Sequence, residues 1–233
     1  MSIAVTPFEA LGKARHGGWL DATHHFSFAG YRDPNRMGFG PLRVWNDDTI
    51  APGGGFPFHP HRDMEIVTYV RQGAITHQDS LGNKGRTVAG DVQVMSAGTG
   101  IVHSEFNHEA EATQLFQIWI EPNRRGHAPR WDTRAFPRDT PGELVLMVSG
   151  RPGENDALRI HQNAALYGAA LTAGDEVEHW LMPGRRAYVV PVGGTVEING
   201  VAVPPRAGAA IVDEDVMTIR AVDATDLVLA DLP

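Results

Sequence analysis

A mostly β fold is what this 233-residue chain predicts, and three observations predict it. Glycine (26) and proline (16) are both abundant, which favours many short elements joined by tight turns over long helices. From Leu42 onward, runs rich in β-branched and aromatic residues alternate with Gly, Asn and Pro. The same layout then occurs a second time in the C-terminal half, as an internal duplication would produce.

The strand candidates run in order as LRVWN, EIVTYV, AITHQ, DVQVM, LFQIWI and, after a break, ELVLMV. EIVTYVRQGAITHQD reads as a hairpin turning at Arg71, Gln72 and Gly73, and the segment closing on Gly90 and Asp91 feeds the next strand. In the second copy, AYVVPVGGTVEINGVAVPPRAGAAIV repeats the order, with Gly194 answering Gly73 and Gly208 answering Gly90. Between the copies, residues from about Glu121 to Asp139 are rich in Arg, Pro and Gly and read as an irregular connector. This places the boundary near residues 135 to 140 and predicts domains of residues 1–137 and 138–233. Residues from about Asn163 to Ala170 read as a short helical turn.

Composition narrows the function classes. Apolar residues make up 42% of the chain, enough for a globular core. Cys 0 rules out disulfides, a thiolate nucleophile and a zinc finger, so any metal must sit on imidazole and carboxylate. The formal net charge is -8, and basic residues cluster no further than pairs such as Arg124 and Arg125, so a nucleic-acid partner is disfavoured. No 18 apolar residues run together, and the N-terminal stretch lacks an apolar core of signal length. The expectation is a soluble, untargeted, cytoplasmic protein with no membrane partner.

Chemistry concentrates in HPH at 59–61 and HSE at 103–105. Extended chain points residues i and i+2 to one face. Two such strands in one barrel can bring His59, His61, His103 and Glu105 to a common point. Such a set suits one divalent first-row ion, with Fe(II) expected and Mn, Ni, Co, Cu or Zn also accepted. Four protein ligands on an octahedral ion leave two positions for water, substrate or dioxygen. Glu65 competes for the fourth place, but straight chain carries it roughly 13 Å beyond His61 unless Arg62 and Asp63 turn it back. Glu105 needs no turn.

Other candidates have plainer readings. His24 and His25 are adjacent and face opposite ways, as surface or hydrogen-bonded buried histidines do. His77 reads as a structural hydrogen-bonding residue, and Asp63 as a solvated turn carboxylate or a support for an imidazole. His161 and His179 have no HxH or HxE neighbour, so the second half is expected to lack a metal. Phe56, Phe58, Met95, Phe106 and Phe116 flank the motifs and read as core or as cavity lining.

GWLDATHHFSFAGYRDPNRMGFGPLRVWNDD, GGFPFHPHRDMEIVTYVRQGAITHQDSLGN and AGDVQVMSAGTGIVHSEFN together resemble the pirin family of the cupin superfamily, in particular bacterial pirin-like quercetinases. LFQIWIEP and the C-terminal half extend the resemblance over nearly the whole chain. It implies an all-β bicupin, two jelly-roll barrels in tandem, with only the first binding metal. The implied ligands are His59, His61, His103 and Glu105, the carboxylate coming from the second motif as in pirin-like proteins. The implied activity is opening of flavonols such as quercetin by 2,3-dioxygenation with release of carbon monoxide, Glu105 acting as base as well as ligand. Its partners are then a small flavonol-like aromatic and dioxygen. The other implied role is that of a redox-responsive metal-binding regulator acting through a protein partner.

Overall fold

The computed structural model describes residues 2–136 and 140–233. Its strands begin with β1 (Ser2–Thr6), β2 (Gly12–His16), β3 (Leu20–His24), β4 (Leu42–Ile50) and β5 (Gly55–His61). Then come β6 (Glu65–Gln72), β7 (Ala74–Asp79), β8 (Lys84–Val88), β9 (Asp91–Ser96), β10 (Ile101–Phe106), β11 (Thr113–Ile120) and β12 (Arg130–Ala135). The later strands are β13 (Val145–Ser149), β14 (Leu158–Arg159), β15 (Ala165–Leu171), β16 (Glu176–Trp180), β17 (Arg186–Pro191) and β18 (Val196–Ile198). β19 (Val201–Val203), β20 (Gly208–Val212), β21 (Val216–Ala221) and β22 (Thr225–Leu232) complete the chain. Among the described residues a single 3-10 turn at Phe8–Ala10 is the only helical element, and no helix is long and apolar enough to cross a membrane.

Two compact units emerge. One holds residues 12–136 and 158–162, the other residues 2–11, 140–157 and 163–233. The point between 137 and 138 where the sequence places the boundary lies outside the described residues. The grouping also exchanges two short segments that a single cut would assign otherwise: residues 2–11 join the second unit and 158–162 the first.

Each unit packs a broad sheet against a four-stranded one. In the first the orders are β12-β9-β6-β11-β4-β3-β2 and β5-β10-β7-β8; in the second β1-β20-β17-β22-β15-β13 and β16-β21-β18-β19. Position for position, β9-β6-β11-β4-β3 matches β20-β17-β22-β15-β13, and the four-stranded sheets match throughout. The duplication read from the glycine pattern is therefore a duplication of topology. Inner faces carry the apolar residues. Leu20, Ile50, Val70 and Leu115 of the broad sheet meet Ile75 and Phe56 of the smaller one in the first unit.

The structure departs from the sequence-based expectation at two places. The expected hairpin at Arg71 to Gly73 is absent: β6 pairs with β9 and β11, whereas β7 pairs with β8 and β10. Only Gly73 lies between the two strands, and a hairpin needs at least about two loop residues. With φ at 73°, Gly73 instead swings the chain from one sheet to the other. The expected helical turn near Asn163 to Ala170 is β15, an apolar strand held between β13 and β22. Short apolar runs carry no periodicity that separates the two states.

Candidate metal centre

β5 and β10 run antiparallel, with His103 opposite His59 and Ile101 opposite His61. Alternation turns Phe58 and Val102 outward, 57% and 38% exposed, and aims the imidazoles at the interior. The register slips between His103 and Glu105, so that Glu105 faces Phe56 and the ladder bulges beside the histidines. Gly55 permits this approach, because a Cβ there would stand 2.4 Å from the Glu105 carbonyl oxygen.

The nitrogens of His59, His61 and His103 all lie within 4.8 Å of one another. His59 donates its Nδ1 proton to the Pro57 carbonyl at 2.7 Å, which leaves its Nε2 lone pair free. That Nε2 faces Nε2 of His103 at 3.1 Å. Neighbouring ligands at about 2.1 Å from one octahedral ion would stand about 3.0 Å apart, so the spacing fits a shared cation. Burial, reinforced by the neighbouring imidazoles, pushes His61 down to about 4 and His103 down to about 3. Both rings are therefore neutral donors near pH 7. Trp119 stands edge-on to His61 at 4.9 Å and closes that flank.

Glu105 groups with His77 and His103, again within 4.8 Å, and not with all three histidines at that spacing. Its Oε1 accepts from Gln93 Nε2 at 2.5 Å and its Oε2 from Gln117 Nε2 at 2.8 Å. Both amides belong to one row across the broad sheet. Thr133, Gln93, Thr68, Gln117, Asn46 and His24 stand in register on successive strands β12, β9, β6, β11, β4 and β3. Cross-strand partners share a face, so this row lies beneath the carboxylate. Both glutamines lie within the quoted stretches, Gln93 in AGDVQVM and Gln117 in LFQIWIEP, where the legible signal is a polar residue at an inward position of an otherwise apolar strand.

The competing candidates have other partners. The turn that Glu65 needed does exist, with Asp63 at φ 48°. Even so, Glu65 accepts from Ser96 Oγ at 2.6 Å and lies 3.3 Å from His161 Nδ1. Asp63 accepts from the Gly126 backbone N–H at 2.8 Å. His24 and His25 are buried, and His24 Nδ1 meets Asn46 Oδ1 at 2.8 Å. Met95 and Phe116 are core, Phe106 stacks on His108, Phe58 is exposed, and Phe56 tilts beside His59 at 6.2 Å. In the second unit, β16 and β21 turn Val177, Met217 and Ile219 into the apolar core, and His179 meets Asp231 at 2.8 Å.

Two family models match the chain. "Pirin" covers residues 7–120, and "Quercetinase C-terminal cupin domain" covers residues 146–232. A protein of Caulobacter vibrioides called "Pirin-like protein" is 58% identical over 226 residues, 97% of each chain. A protein of Escherichia coli called "Quercetin 2,3-dioxygenase" is 48% identical over 223 residues, 95% of each chain. The crystal structure of the bacterial pirin YhhW from Escherichia coli in complex with nickel(II) superposes with a TM-score of 0.94 at 45% identity, covering 100% of this chain and 99% of that one. With the fold, both domain models and relatives of this identity in agreement, the chain belongs to the pirin family and is a bicupin.

Proposed function

We propose that this protein is a metal-dependent dioxygenase that opens flavonols such as quercetin by 2,3-dioxygenation with release of carbon monoxide. One divalent ion, which we assign as Fe(II), would be held by His59, His61, His103 and Glu105, and the expected compartment is the cytoplasm. The observation that carries the reading is the pair of Nε2 atoms of His59 and His103 facing each other at 3.1 Å, with His61 beside them. The nickel(II) complex of the Escherichia coli pirin and the dioxygenase name of an Escherichia coli relative support it.

When bound, the ion supplies Lewis-acid chemistry and open positions for flavonol and dioxygen. The protein's part follows from its side chains. Glu105, ionised, is an acceptor only, and it takes the proton of the flavonol 3-hydroxyl. Gln93 and Gln117 each give it one N–H and so hold the carboxylate in place.

The test is anaerobic purification with metal quantification, followed by oxygen uptake and carbon monoxide release with quercetin and other flavonols. Carbon monoxide release that scales with metal content is the expected result. A fully loaded protein that releases none from any flavonol rejects the activity.

A further inference from the structure

A third next-but-one pair, His77 and Asp79 in HQD, lies on β7, the strand next to β10. Both residues are buried. Asp79 Oδ1 accepts from the backbone N–H groups of Leu81 at 2.9 Å and Asn83 at 3.1 Å. Its Oδ2 accepts from Asn83 Nδ2 at 2.9 Å and meets His77 Nε2 at 3.0 Å. Burial alone would raise this carboxyl, but the hydrogen bonds from His77 and Asn83 outweigh it and hold Asp79 below its ordinary value. At the other end of the ring, His77 Nδ1 meets His103 Nδ1 at 3.4 Å. The His77 ring is set flat against Trp131, 4.8 Å between centroids and 7° between planes. Its cross-strand neighbour is Gly85, where a Cβ would stand 2.3 Å from that indole.

We propose that Asp79 and His77 form a relay that fixes the tautomer of His103 and thereby presents its Nε2 lone pair to the ion. This rests on the metal-site reading above. Ionised Asp79 can only accept, so His77 carries its proton on Nε2 and leaves Nδ1 as an acceptor. His103 then gives its Nδ1 proton to His77, and its other nitrogen is bare where it faces His59. Carboxylates and carbonyls commonly orient ligating histidines directly; in this protein a second imidazole stands between. His77 and Asp79 are therefore positioning residues.

Asp79→Asn reverses the relay without changing its shape. The two backbone N–H groups hold the amide oxygen at the Oδ1 position, so the new NH₂ turns toward His77 and toward Asn83, whose own amide must flip to accept from it. His77 Nε2 must accept, its proton moves to Nδ1, and His103 is left with hydrogen on Nε2. Zn²⁺ affinity of the full chain, measured by chelator competition, is expected to fall by about 10- to 100-fold. His77→Phe keeps a flat ring against Trp131 and only frees the choice of tautomer, so its loss is smaller. Adding Asp79→Asn to His77→Phe costs no further affinity.

Long-range ¹H–¹⁵N spectra of the Zn²⁺-loaded wild type should show His77 protonated at Nε2; the readout that a merely structural pair would not give is the absence of any further affinity loss when Asp79→Asn is added to His77→Phe. Wild-type affinity in Asp79→Asn, or a His77 proton on Nδ1 in the loaded wild type, overturns the relay. Two Zn²⁺ ions per chain falling to one in His77→Phe also overturns it, because His77 is then itself a ligand. If Asp79→Asn fails to fold, wild-type affinity in His77→Phe does the same. A wild-type chain that binds no Zn²⁺, Ni²⁺ or Fe²⁺ removes the metal-site reading and this one with it.

Discussion

Glu105 has both oxygens engaged by amide protons, from Gln93 and Gln117, before any substrate arrives. The two N–H donors fix the direction in which the carboxylate points. Glu105→Gln should retain part of the metal, because the three imidazoles remain, and lose about 100-fold or more in turnover, the usual scale for a lost general base. Metal content and carbon monoxide release measured on the same sample check this; wild-type turnover at full occupancy excludes the base role. At this scale much of the site is legible in the chain. HPH and HSE announce imidazoles on one face, and HQD repeats the same two-residue step. Beside Thr76 and Gln78 in the sequence, His77 shows only as a structural hydrogen-bonding residue; its contact with His103, 26 positions away, arises through strand pairing.

Strands supply the precision that single residues lack. β5 and β10 carry the histidines opposite one another, and the slip between His103 and Glu105 depends on Gly55 having no side chain. Gly55→Ala forces a methyl against the Glu105 carbonyl. The expected cost is about 1–3 kcal/mol in stability, the usual range for overpacking, together with weaker metal binding as β5 is pushed away. Urea titration and chelator competition measure the two effects; an unchanged midpoint and affinity would show that the pairing tolerates the methyl. Element type was largely readable, since β-branched runs between glycines became strands. Pairing was not. Gly73 marks a corner between sheets, and a local run of residues does not record which distant strand receives it.

Across the molecule, one topology serves two ends. The first unit gathers three imidazoles inward from its four-stranded sheet, whereas the second fills the matching strands with Val177, Met217 and Ile219 and pairs its inward His179 with Asp231. The second unit concentrates its buried charge on Asp231, which pairs with Arg151 and accepts from His179 at 2.8 Å and from Arg185 at 2.5 Å. Burial pushes this carboxyl up, but the hydrogen bonds from His179 and Arg151 prevail and hold it below 3.8. Its contribution to stability is complete above about pH 4 and is lost as pH falls through the depressed value. Asp231→Asn should cost about 3–5 kcal/mol at pH 7, because buried cations lose their partner. It should also make unfolding less steep with acid below pH 4, as thermal melts across that range would show. An equally steep acid limb in the variant would point to other carboxylates.

β1 is the first strand of the chain, yet it pairs with β20, more than two hundred residues later, along Ser2↔Val212 to Thr6↔Gly208. Ribosomal synthesis therefore makes this edge strand long before its partner and must hold it unpaired until β20 has emerged. A C-terminal fragment expressed alone would leave the GAAIV border bare, a ready template for sticking to its own kind. Adding a synthetic peptide of residues 1–11 should restore its solubility, and the shift from aggregate to monomer on a sizing column would record the rescue.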